Sequence, residues 1–290
     1  MIPAAFEYHR PSSVKEALKM LQDLPDAKLL AGGHSLLPLM KLRLANPPHL
    51  IDLGRIDALR QIRANGNVLV IGALASHWMI ESSESVKRHA PLLAETAGKV
   101  GDVQVRNAGT IGGSVAHADP AADYPAALLA LDAQFVAEGP TGPRVIAVDD
   151  FFTGVFSTAL DAHEILTEVR VVFQDAGTGS AYLKFAHPAS GFAVVGVAAA
   201  LRMNGGKPAR IRIGITGVGP AAYRPKAVEE LLVGKPFEAR TVADAANLAA
   251  DGVDVNEDLF ASSEYRAHLT RVFTKRAVML AGERGGARSE

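Results

Sequence analysis

The chain contains no cysteine. That absence excludes disulfides, thiolate-bound metals, iron–sulfur clusters ligated from within the chain and a cysteine nucleophile; it fits a reducing compartment. An excess of either charge is also missing: 30 Lys and Arg against 31 Asp and Glu give a formal net charge of −1, so no general attraction to nucleic acid or to an anionic membrane is expected. Long apolar runs are absent. The most apolar stretch, Phe192 to Leu201, falls short of the roughly 20 residues that cross a bilayer. The opening residues, Met1 to Arg10, lack the basic start and continuous apolar core of a signal peptide. A soluble, cytoplasmic protein with no integral membrane segment is expected. Several catalytic signatures are missing as well. No G-x-x-x-x-G-K-[ST], G-x-S-x-G or H-E-x-x-H occurs, which argues against nucleoside triphosphate hydrolysis, a serine hydrolase and a zinc protease.

What remains is an ordinary globular composition, 48% apolar and 21% charged over 290 residues, enough for two domains or one large one. Ser13-Val14-Lys15-Glu16 reads as a capping box opening a helix with Ala17, Leu18 and Leu21 on one face, closed by Pro25. Lys28 to Ala31, His49 to Leu53 and Asn67 to Ile71 read as strands. Pro91 to Val100 has helical spacing, whereas Gly101 to Asp123 shows little pattern and reads as a long functional loop. A buried helix is expected at Ala126 to Leu131 and a strand at Glu164 to Phe173. The composition shifts at 174–180. Two strands then flank Asn204-Gly205-Gly206 as a hairpin, and helices follow near 226–233, 241–250 and 264–281. Arg271, Lys275 and Arg276 on the last helix read as solvated surface, and the residues from Glu283 as a frayed tail. No internal repeat appears. Strands and helices mix without regular βα alternation, so α+β is expected rather than a doubly wound parallel sheet. The expected domains are 1–175, with subdomains of about 1–55 and 56–175, then 176–285, with a tail at 286–290.

Two glycine-rich segments carry the chemistry. Ala31-Gly32-Gly33-His34-Ser35 follows a strand directly. Its glycines allow positive φ, so that successive amides can converge on an anion, with the Ser35 hydroxyl as a further donor; a tight turn out of the strand is the plainer alternative. Gly109-Thr110-Ile111-Gly112-Gly113-Ser114 repeats the pattern, and two such turns are a sensible way to grip a diphosphate. Gly217-Val218-Gly219-Pro220-Ala221-Ala222 fits G-x-G-x-x-A, but Pro220 and Pro225 obstruct a helix there, so a loop is expected instead of a dinucleotide fold. His117, Asp119 and Asp123 could be read as metal ligands, but no further histidine cluster accompanies them; Asp123 could instead accept hydrogen bonds from a ribose or a heterocycle.

At these segments the chain resembles a known family, the FAD-binding medium subunits of aerobic carbon monoxide dehydrogenase, within the xanthine dehydrogenase group of molybdenum hydroxylases. The resemblance rests on residues 31–41, Ala-Gly-Gly-His-Ser-Leu-Leu-Pro-Leu-Met-Lys, and on Thr110-Ile111-Gly112-Gly113-Ser114. It extends to the opening residues through Pro11, to His49-Leu50-Ile51-Asp52 and to Gln104-Val105-Arg106-Asn107. It implies a two-part FAD domain of the vanillyl-alcohol-oxidase (PCMH) type, then a smaller α+β domain of antiparallel strands and helices.

The resemblance also implies one non-covalent FAD here, with molybdopterin on a large partner subunit and two [2Fe–2S] clusters on a small one, arranged as a dimer of heterotrimers. Electrons would run from molybdenum through the clusters to FAD and on to an external acceptor. By the same resemblance Ala31, Gly32, Gly33, His34, Ser35 and Leu36, with Thr110, Ile111, Gly112, Gly113 and Ser114, hold the pyrophosphate and adjoining sugar. Asp123 meets the adenosine part, while Leu166 and Lys184 lie near the isoalloxazine ring. No residue of this chain is expected to act on substrate. The segment Lys184 to Phe192 departs from the more basic stretch of the carbon monoxide enzymes; Phe192 would stack beside the flavin, and the substrate of the complex stays open among carbon monoxide, aldehydes, purines and other heterocycles. Two other readings are a self-contained flavin oxidoreductase on the same fold and a non-enzymatic nucleotide-sensing module.

Overall fold

A computed structural model describes residues 2–287; Met1 and residues 288–290, most of the expected tail at 286–290, lie outside the described residues. The first helix forms where its capping signal sits. Ser13 Oγ accepts from the Glu16 amide at 3.2 Å, capping Val14–Asp23. The Glu16 carboxylate accepts from the amide and hydroxyl of Ser12, at 2.7 and 2.9 Å, so the reciprocal half of the box closes one residue early. Ala17, Leu18 and Leu21 bury against a small sheet of β1 (Glu7–His9), β2 (Lys28–Leu30) and β3 (His49–Asp52), parallel and in the order β1-β3-β2.

The chain continues through β4 (Ile62–Asn65), β5 (Val68–Gly72), β6 (Gln134–Gly139), β7 (Gly142–Ala147), a ribbon of β8 (Phe152–Gly154) and β9 (Ser157–Thr158), and β10 (Ile165–Val172). An antiparallel sheet forms in the order β4-β5-β10-β6-β7. The crossover from β5 to β6 holds six short helices, and here the sequence expectation of a long unpatterned loop at 101–123 is corrected. Val103–Ala108 and Ile111–His117 are helices, because Asp102 and Thr110 cap them through side chains that accept from Val105 and Gly113 amides.

The last part is an antiparallel sheet of β11 (Thr178–Ala186), β12 (Ala193–Asn204) and β13 (Lys207–Thr216), covered by the helix Ser263–Arg284. Gly205 and Gly206, both at positive φ, make the turn between β12 and β13. Gly217 to Ala222 carries no helix; the next one begins at Lys226. Glu283 and Arg284 are helical rather than frayed. The Arg284 guanidinium donates to Ser180 O and Glu95, each at 2.7 Å, which anchors this end.

The two parts meet over the helix Tyr124–Ala130, whose Ala126 carbonyl lies 2.0 Å from where a Cβ at Gly214 of β13 would stand. Beside this contact Asp132 accepts from Arg224 at 3.0 Å, from Arg212 at 3.1 Å and from Arg210. Arg224 is nearly buried and also pairs with Glu229 at 2.7 Å. Asp132→Ala is expected to lower the unfolding free energy by about 2 kcal/mol, because three arginines lose a shared carboxylate and the nearly buried Arg224 keeps, beside Glu229, only Asp149 at 3.4 Å. Urea unfolding of the full chain checks this; a change within about 0.5 kcal/mol, the range of ordinary surface substitutions, would contradict it.

Candidate functional site

The first turn leaves β2 and makes an unfilled donor array. Among the described residues, the amides of Gly32, Gly33, His34, Ser35 and Leu36 donate to no protein acceptor. Gly33 lies at φ +76°, the left-handed conformation that backbone anion nests use. Ser35 precedes the helix Leu36–Lys41 without using its hydroxyl as a cap, which leaves that donor free. Five consecutive unsatisfied amides would be costly if sealed from water. Around an anion they are a cradle.

The second turn is built differently. The Ile111 amide donates to Ala75 O (3.0 Å), Gly112 to Ala73 O (2.9 Å), Gly113 to Thr110 Oγ1 (3.1 Å) and Ser114 to Thr110 O (3.0 Å). The amides of Ile111 to Ser114 are thus all spent inside the protein. Gly112 is a packing residue, because a Cβ there would fall 2.6 Å from Ala73 O. The second turn therefore differs from the first: among the described residues the Thr110 amide donates to no protein acceptor, and the half-buried Ser114 hydroxyl is a further donor.

The two turns nevertheless touch. A Cβ at Gly32 would lie 2.2 Å from Ala108 O and 2.7 Å from Gly109 Cα, and one at Gly113 would lie 3.6 Å from Ala31 Cβ. Glycine at 32 lets one backbone rest on the other, so the second turn is the seat on which the cradle stands. That seat is itself fixed. The His77 amide donates to Gly109 O at 3.0 Å, and the Ala73 amide to Thr167 O at the bulge of β10.

A second cluster lies at the other end of the helix Val103–Ala108, whose six residues span about 9 Å. Asp123 and Lys184 pair at 3.0 Å, both almost fully buried. Tyr182 donates to Asp123 Oδ1 at 2.5 Å. The Lys184 ammonium donates to Lys99 O (2.6 Å), Gly191 O (2.9 Å) and Asp123 Oδ2 (3.1 Å). Burial pushes the Asp123 carboxyl up, against the pull of the Lys184 ammonium and the Tyr182 hydroxyl. One sequence expectation changes. Residues in direct contact cannot serve opposite ends of an extended dinucleotide, so the expected placing of Asp123 at one end and Lys184 at the other does not hold. The ammonium has three hydrogens and all are committed, so it offers no free donor to a ligand.

Phe192, half-exposed, ends a loop tied by hydrogen bonds from the His187 amide to Phe192 O and from the Gly191 amide to His187 O, both 2.8 Å. A Cβ at Gly191 would come within 4.0 Å of Gly101, so this loop faces the start of the same helix. Leu166 packs in the main core, opposite Ala137. His117 lies against Phe156, ring centroids 5.0 Å apart, and Asp119 accepts from the Ala121 amide; with Asp123 held by Lys184, the three make no ligand set.

Sequence reasoning missed His77, which sits under the second turn with Nδ1 3.1 Å from the Tyr124 hydroxyl; nothing in the local pattern marks it. Burial, then the charges of His34 and Arg106, lower its pKa to about 4. A depressed histidine pKa favours folding above the unfolded value near 6.5 and loses that contribution as pH falls toward 4. Stability is therefore expected to drop by up to about 3 kcal/mol across that window, and His77→Gln should flatten the fall. Urea titrations between pH 4 and 7 check this; an equally steep fall in the variant would remove His77 as its cause.

A family model described as the FAD binding domain in molybdopterin dehydrogenase matches residues 4–171, and one described as the CO dehydrogenase flavoprotein C-terminal domain matches residues 180–281. The carbon monoxide dehydrogenase medium chain of Hydrogenophaga pseudoflava is 45% identical, over 98% of this chain and 99% of that one. The glyceraldehyde dehydrogenase medium chain of Sulfolobus acidocaldarius is 35% identical, over 96% and 98%. A solved structure of the Hydrogenophaga pseudoflava carbon monoxide dehydrogenase, in a form lacking the Mo-pyranopterin moiety of its cofactor, superposes with a TM-score of 0.96 at 47% identity, covering 98% of this chain and 99% of that one.

Proposed function

The chain belongs to the carbon monoxide dehydrogenase medium-chain family, the FAD-binding subunits of molybdenum hydroxylases, and on that premise we propose that it relays electrons from [2Fe–2S] clusters on a small partner subunit to an external acceptor. The large partner would carry molybdopterin and meet the substrate, in a cytoplasmic dimer of heterotrimers. No helix among the described residues is long and apolar enough to cross a membrane.

The observation that carries the cofactor assignment is the row of five free amides at Gly32 to Leu36 seated on the second turn. This donor set fits a diphosphate and needs no metal or lysine. In this reading Gly32 to Leu36 hold the diphosphate, and Ser114 adds a hydroxyl beside it. Ala31, Thr110, Ile111, Gly112 and Gly113 shape the seat. Asp123, Lys184 and Phe192 stand at the ring end, with Leu166 packed behind. When bound, FAD supplies the ability to accept electrons singly from clusters and release them in pairs. The chain itself would orient that group and set the Asp123–Lys184 pair near its ring end.

The relay is tested by stripping flavin from the assembled complex. Reduction of the clusters by substrate should persist, delivery to an external dye should fall, and FAD should restore it. Undiminished delivery from the stripped complex would overturn the relay. The substrate is not fixed by this chain, since relatives that match it throughout are named for carbon monoxide and for glyceraldehyde.

A further inference from the structure

Away from the cradle, the parallel pair β1–β3 brings together three metal-type donors that no part of the flavin site uses. The register sets Glu7 opposite His49. His9, two residues along the same strand, returns to the same face. Tyr8, between them, points the other way and donates to Asp52. The side chains converge: His9 Nε2 lies 3.3 Å from His49 Nδ1, and Glu7 Oε2 lies 3.3 Å from His49 Nδ1 and 3.8 Å from His9 Nε2.

We propose that Glu7, His9 and His49 form a three-ligand site for a divalent transition-metal cation, zinc by preference, which clips the edge strand β1 to β3. A triangle with these edges has a point about 2.0 Å from every corner, within the range of zinc–nitrogen and zinc–carboxylate bonds. Two imidazoles and one carboxylate favour zinc and its transition-metal neighbours over magnesium or calcium, which prefer oxygen. Both histidine side chains are mostly buried, at 23% and 17% exposed, while Glu7 is 72% exposed. The imidazoles are therefore held by the fold, the carboxylate closes from the solvent side, and a fourth position stays open to water. Binding would fix β1 against β3, next to the strand β2 that launches the cradle.

The test uses the full chain, whose lack of cysteine removes thiolate competition. Equilibrium dialysis against zinc should leave one metal per chain. Cobalt in its place should give the intense visible absorption of a four-coordinate ion. His9→Ala/His49→Ala should weaken zinc binding by about a hundredfold, and Glu7→Gln by about tenfold, with flavin binding retained as the check on folding. Undiminished binding in the double variant, no zinc uptake by the wild-type chain, or only the weak absorption of octahedral cobalt would each overturn the proposal.

Discussion

Replacing Gly32 by valine is expected to abolish flavin binding by the full chain while leaving a cooperative fold. The added Cβ falls 2.2 Å from a backbone carbonyl and 2.7 Å from a backbone Cα of the second turn. Neither can swing aside as a side chain would, so the turns must part and the amide row loses its seat. A loss of at least a hundredfold in affinity is expected, about 2.7 kcal/mol. Gly113→Ala is the contrast. Its Cβ meets Thr110 Oγ1 at 2.8 Å, so one capping bond is disturbed without separating the turns, and the loss should be at least tenfold smaller. Flavin fluorescence titration checks both, with circular dichroism to show that each variant folds. Equal affinities for the Gly32 variant and the wild type would mean that contact between the turns is irrelevant to the ligand.

Asp123→Ala should be the most destabilising of the polar substitutions, by about 3–5 kcal/mol, because it strands the buried Lys184 ammonium without a counter-charge. The Tyr182 hydroxyl loses its acceptor in the same step. The fully buried phenol, whose burial alone holds it above its usual pKa, cannot ionise to compensate. Adding Lys184→Met removes the stranded charge and should restore part of the lost stability, which makes the effect a coupling between two sites rather than a cavity. Urea unfolding of the two single variants and the double variant supplies the cycle. Additive losses would show that the pair is not coupled and that the short distances carry no energy.

Much of the fold could be read because local signals agreed with tertiary needs. Ser13 and Pro25 bracket their helix, and Gly205-Gly206 sits where β12 must turn back. The segment at 101–123 could not be read in the same way. Its two helices are short, one opens with a Gly-Gly pair, and their stability comes from the Asp102 and Thr110 caps and from packing on Ala73 to His77. The cradle residues were visible as glycines, but glycine reports only that a side chain is unwelcome. At Gly32 and Gly112 the reason is another backbone; at Gly33 it is a positive φ. Sequence spacing could not separate these causes, nor reveal that the second turn spends its Ile111 to Ser114 amides internally. Likewise Asp123 and Lys184 are 61 residues apart, and only the folded chain shows that they neutralise each other.

The most direct test is amide hydrogen exchange, resolved by residue, on the full chain with and without saturating FAD. The amides of Gly32 to Leu36 should exchange rapidly in the free chain and become strongly protected when the cofactor is added, while those of Ile111 to Ser114 stay protected in both states. Flavin bound at one per chain with no change at 32–36 would contradict the claim that this single turn grips the diphosphate.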